Sequence, residues 1–111
     1  MELQHRIDNQ IYILAIDGDL SAKFIGEIEQ HLSPLLQDEN INGIVINFQK
    51  IAFVDSSGIG LVLSVYKALL GRGARLAICN LNEENVELFE MTRLNDILPI
   101  YTTEPEALDS F

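Results

Sequence analysis

The segment Ile44-Val45-Ile46-Asn47-Phe48 constrains the fold more than any other stretch of the chain. It is short and rich in β-branched residues, the pattern of a strand buried on both faces, and such a strand needs other elements packed against each side. The rest of the sequence supplies them. Leu3 to Ile7 and Ile11 to Ile16 have strand character and flank the polar Asp8-Asn9-Gln10, which predicts an opening hairpin. Asp17-Gly18-Asp19 is expected to break the second of these strands. Ser21 then stands as the N-cap of a helix carrying Phe24, Ile25, Ile28, Leu32 and Leu35 at helical spacing, ended by residues 38–43.

Beyond the central strand, Ala52-Phe53-Val54 predicts another strand that delivers the chain to Asp55. Ile59, Val62, Val65, Tyr66 and Leu69 mark one face of a helix over 57–70, stopped by Gly71-Arg72-Gly73. A strand over Arg75 to Cys79 follows, and then a helix over 83–91. Its acids Glu83, Glu84 and Glu87 lie near its positive end, and Val86, Phe89 and Met91 are expected in the core. Residues 97–101 read as a short strand and 104–108 as a last helical turn. Strands that alternate with helices after a hairpin imply an α/β fold, a mixed sheet flanked by about four helices. With no repeat, linker or low-complexity segment, the 111 residues are expected to form one domain over 1–111.

Charge and composition exclude several classes of function. Seven Lys plus Arg against seventeen Asp plus Glu give a formal charge of −10, a field that repels phosphate backbones and anionic lipid headgroups. Neither nucleic acid nor membrane is an expected partner. The N-terminal residues lack the basic start and apolar run of a secretory signal, and no apolar stretch approaches a membrane span, so a cytoplasmic setting is expected. Cys79 is the single cysteine and sits in apolar Leu76-Ala77-Ile78-Cys79, as a buried thiol would. His5 and His31 have no close Cys or His neighbours, so no metal site and no cofactor is expected.

The informative stretch is Phe53-Val54-Asp55-Ser56-Ser57-Gly58-Ile59-Gly60, between a predicted strand and a predicted helix. A helix N-terminus presents unpaired N–H groups and the positive end of the macrodipole, which favours a phosphorylated serine. Ser56 is placed to carry that group. Gly58 and Gly60 remove side chains where a second protein's backbone would approach. The same residues also suit a plain N-cap, and on spacing alone both readings stand. Leu61, Leu63 and Ser64 lie off the main apolar face and serve equally as partner surface or as core.

Val54-Asp55-Ser56-Ser57-Gly58-Ile59-Gly60, together with Gly18-Asp19-Leu20 and Leu88-Phe89-Glu90-Met91-Thr92-Arg93-Leu94, resembles the anti-sigma factor antagonists of the STAS-domain family over essentially the whole chain. The resemblance implies a single STAS domain and a partner-switching protein. Unphosphorylated, it binds an anti-sigma factor that is also a serine kinase; phosphorylated, it releases it; a separate serine phosphatase resets it. Ser56 matches the family's phosphoacceptor, with Ser57 a secondary acceptor. Asp19, Ser21, Asp55, Ser57, Gly58, Ile59, Gly60, Leu61 and Ser64 are the implied partner-binding residues. Where the family often has Gly-Glu-Ile/Leu-Asp, this chain has Gly18-Asp19-Leu20-Ser21, so an acid expected beside the phosphoacceptor is replaced by Ser21.

Enzymatic readings fare worse. Gly58-x-Gly60 opens a helix, but Leu63 stands where a dinucleotide fingerprint needs its third glycine. A serine hydrolase needs a general base beside Ser56 or Ser57, and the G-x-S-x-G turn is absent. A phosphoaccepting Asp55 of receiver type, with Asp17 and Asp19 on Mg²⁺, lacks a lysine after Lys67. No catalytic residue is expected. The remaining alternative is a STAS module that is never phosphorylated, binding partners, a ligand or a nucleotide within a larger assembly.

Overall fold

In the computed structural model, which describes all 111 residues, β1 (Glu2–Asp8) and β2 (Ile11–Leu20) form an antiparallel hairpin. Asn9 and Gln10 make its two-residue loop with φ of 51° and 69°, the double left-handed turn whose twist matches that of paired strands. Next come α1 (Ile25–Leu36), β3 (Gly43–Asn47), β4 (Ile51–Val54), α2 (Ser56–Leu70), β5 (Arg75–Cys79) and α3 (Glu83–Met91). A 3₁₀ turn (Leu94–Asp96), β6 (Ile100–Tyr101) and α4 (Glu104–Asp109) complete the chain. The sheet runs β1-β2-β3-β5-β6 with β4 also against β2, and every pairing except β1 with β2 is parallel. No helix is long and apolar enough to cross a membrane.

β3 is the doubly covered strand that its composition implies. Ile44 and Ile46 face a large core with Tyr12, Leu14, Ile16, Ile28, Leu32, Val62, Val65, Leu69 and Phe89, while Val45 faces a smaller one with Ile11, Ile13, Ala77, Cys79 and Ala107. Helices α1, α2 and α3 thus cover one face of the sheet and α4 the other. Cys79 is fully buried, and desolvation, with the nearby Glu104 carboxylate, pushes its thiol up to about 12, leaving it protonated and inert.

Four expectations need correction. β2 is not broken at Asp17-Gly18-Asp19 but runs on to Leu20. Gly18 takes φ of +149°, and the register shifts between Gly18 and Leu20, so the strand changes partner from β3 to β4 without ending. Ser21 is not the N-cap of α1. Its carbonyl accepts from the amides of Phe24 and Ile25 in a turn, and the helix starts at Ile25. Residues 97–99 do not join β6; Leu98 is instead buried in the main core. On α3 only one narrow stripe is covered: Phe89 is buried, but Val86 and Met91, expected in the core, are 39% and 77% exposed.

Candidate functional site

Asp55 organises the junction where β2 and β4 end and α2 begins. It is the N-cap of α2 in extended conformation, and its Oδ1 accepts from the Gly58 amide at 3.0 Å. Oδ2 accepts from the Ala22 amide, also at 3.0 Å, and the Asp55 amide donates to the Leu20 carbonyl at 3.2 Å. The amides of Ala22 and Gly58, in that order of effect, hold the Asp55 carboxyl below the usual aspartate range. The two motifs Gly18–Ser21 and Asp55–Gly60, far apart in sequence, are thereby tied together.

With the cap supplied by Asp55, Ser56 is left as the first helical residue with its side chain exposed, and Ser57 follows half-buried. Their amides lie in the first turn, where the helix itself offers them no carbonyl. The two glycines behave differently. A Cβ on Gly58 would lie 2.1 Å from the Leu20 carbonyl oxygen, so the end of β2 fills the space expected for a partner's backbone. Gly60 is exposed with nothing within 4 Å of a Cβ, and it alone keeps the open surface predicted for both.

The other implied contact residues divide in the same way. Ser64 is exposed, Ile59 and Asp19 are half-buried, but Leu61 is 6% exposed within the main core and Ser21 is 9% exposed beneath the turn into α1. Leu61 and Ser21 therefore do not offer side chains to a partner. Ser64 borders a shallow groove of about 220 Å³ between α1 and α2, with Leu32, Leu36, Leu61 and Glu29. Sequence reasoning missed Phe53. It opens the informative stretch but carries no predicted partner contact, yet it is 56% exposed two residues before Asp55. On β4 only Ile51 and Val54 turn inward.

Both Asp55 oxygens are taken by backbone amides, which leaves the carboxylate poorly placed to accept a phosphoryl group. His31 bonds through Nε2 to the Tyr12 hydroxyl at 2.6 Å, and His5 stacks on Tyr12 at 5.3 Å, so both imidazoles belong to a cluster on β1, β2 and α1. No three His, Cys, Asp or Glu side chains gather in an arrangement suited to a metal ion.

Comparison with known proteins places this geometry in a family. The family model described as STAS domain matches residues 2–107. A Paenibacillus polymyxa protein named anti-sigma F factor antagonist is 29% identical over 97% of this chain and 91% of its own length. Among solved structures, a Thermotoga maritima protein superposes with a TM-score of 0.91 at 21% identity, covering 97% of this chain and 92% of the other. The anti-sigma factor antagonist SpoIIAA superposes in its unphosphorylated form with a TM-score of 0.77 at 23% identity, covering 98% of this chain and 96% of the other. Its phosphorylated form gives a TM-score of 0.75 at 24% identity, with 98% of each chain covered.

Proposed function

The chain belongs to the STAS-domain family, and from that premise we propose that it is an anti-sigma factor antagonist switched by phosphorylation of Ser56. One domain over 1–111, acting in the cytoplasm, binds an anti-sigma factor with serine kinase activity while Ser56 is unmodified and is released once that kinase has phosphorylated it. A serine phosphatase restores the binding form. The chain acts on transcription through this partner alone, without catalysis of its own and without contact with DNA.

The observation that carries this reading is the separation of roles between Asp55 and Ser56. The cap and the tie to β2 rest on Asp55, so Ser56 is exposed and not needed to hold the helix end. A phosphate there adds about −1.5 to −2 charges and leaves the fold in place, so its effect falls on whatever docks against the junction. SpoIIAA, which shares the fold, has been solved in both unphosphorylated and phosphorylated forms.

Incubation with the cognate anti-sigma factor and ATP should add one phosphate to the intact mass, mapped by fragmentation to Ser56 rather than Ser57. By calorimetry, Ser56→Ala should retain the affinity of the unmodified protein. Ser56→Asp should lose at least about tenfold, equivalent to ~1.4 kcal/mol. Equal affinity of the two variants would remove the basis of the switch.

A further inference from the structure

The two edges of the sheet are built differently. β6 is only Ile100–Tyr101 and follows Pro99, so it offers little to pair with. β1 runs for seven residues, paired without interruption to β2 from Glu2 opposite Asp17 to Asp8 opposite Ile11. It contains no proline or bulge, and its exposed charges Glu2, Arg6 and Asp8 are of both signs, so they guard the edge against some registers and favour others. Six of its seven residues are exposed, Ile7 to 61%.

The hairpin fixes which backbone groups are free. A two-residue loop closes on a hydrogen-bonded pair, here Asp8 with Ile11, and bonded and non-bonded pairs then alternate. Asp8, Arg6, Gln4 and Glu2 therefore bond inward to β2, and the N–H and C=O groups of Leu3, His5 and Ile7 point away from the sheet. Such a row accepts another strand.

We propose that a second copy of this chain pairs there, its β1 antiparallel to the first across a two-fold axis through Gln4. An axis between two residues would set an outward-bonding residue opposite an inward-bonding one, so the axis must pass through a residue. Passing through His5, it would place Glu2 opposite Asp8 of the second copy, twice. Through Arg6, it would oppose two arginines, and through Leu3 or Ile7 only three residues of each β1 would pair. Through Gln4, it places Glu2 opposite Arg6 of the second copy, twice, with Leu3 opposite the second copy's His5. Opposite charges directly across a strand pair stabilise it and like charges oppose it. Arg6 already meets Glu104 within its own chain, but its side chain remains 56% exposed and its guanidinium has donors to spare.

Sedimentation velocity at high micromolar concentration should give twice the 12.4 kDa mass of one chain; a monomer at that concentration overturns the proposal. Glu2→Lys, at an exposed position, should weaken the dimer by about tenfold, and an unchanged dimer overturns the register. Cross-linking reads the axis directly. Facing Gln4 residues are a non-hydrogen-bonded pair about 4.5 Å apart at Cα, within disulfide reach. Two His5 residues are offset along the strands to about 8 Å, beyond it. Under mild oxidation Gln4→Cys should form a covalent dimer and His5→Cys should not, and the reverse pattern excludes the Gln4 axis. Native Cys79 is fully buried and contributes no background.

Discussion

Asp55, Ser56, Gly58 and Gly60 are neighbours in sequence, and the structure gives each a separate task. Asp55 is spent on the backbone, both oxygens bonded to amides from different parts of the chain. Ser56 is free because Asp55 is not. Gly58 is there for its own chain, since the Leu20 carbonyl sits where a Cβ would go, whereas Gly60 faces open space. This difference makes a sharp prediction. Gly58→Ala must displace backbone rather than a flexible side chain, and chemical denaturation should show a loss of about 1 to 3 kcal/mol. Gly60→Ala meets nothing and removes a flexible residue from a helix, so it should stabilise the isolated protein by about 0.5 to 1 kcal/mol. Because Gly60 lies on the exposed side of the proposed docking surface, the same substitution should nevertheless weaken partner binding. The motif itself was legible in the sequence, and so was the exposed serine. The distinction between the glycines was not, because it depends on where a strand forty residues earlier happens to end. The burial of Leu61 was hidden for the same reason: it packs in the main core and lines the groove with Leu32 and Leu36 of α1.

At the level of elements, sequence patterning placed the six strands and four α-helices but not the 3₁₀ turn over Leu94–Asp96, and it failed where one element performs two jobs. β2 pairs first with β3 and then with β4, and the glycine that lets it bend looks in sequence like the glycine of a turn. α3 is held by polar bonds as well as by its apolar stripe, which explains why Val86 and Met91 are free to be exposed. Asn82 caps the helix by accepting from the Asn85 amide at 2.8 Å, and the side-chain amides of both asparagines donate to the Ile51 carbonyl at 3.2 and 3.0 Å. Asn85 is 2% exposed, one of two buried polar residues in the chain. Hydropathy patterning treats such a residue as a surface position, so this anchor was invisible before the fold was known. Asn85→Ala removes one bond to β4, and the Ile51 carbonyl keeps only Asn82. A stability loss of about 1 to 3 kcal/mol is expected by urea denaturation. Since β4 leads directly to Asp55, hydrogen exchange should also quicken in the first turn of α2, which would distinguish this anchor from a local contact of α3 alone.

For the whole molecule the dominant quantity is the net charge of −10. It favours a partner with a positive docking surface, and association of opposite charges is steered at long range and weakened by salt. That creates a difficulty for any account of release based on net charge. Phosphorylation makes the chain more acidic, by about 1.5 to 2 charges, and long-range attraction to a positive partner would then increase. Under the proposed switch, release then arises at short range, from a phosphate on exposed Ser56 that occupies space and holds its hydration where the bare hydroxyl would be covered. The two contributions separate by ionic strength. Salt screens charges beyond about 8 to 10 Å but has far less effect on groups buried together in an interface. In a salt series followed by surface plasmon resonance, the association rate of unmodified protein should fall steadily with salt, and the phosphorylated form should show a slope at least as steep. The loss of affinity on phosphorylation should appear as faster dissociation and should persist at high salt. If that loss instead vanishes as salt rises, the phosphate acts through the overall field, and the local geometry of Asp55 and Ser56 is not what controls release.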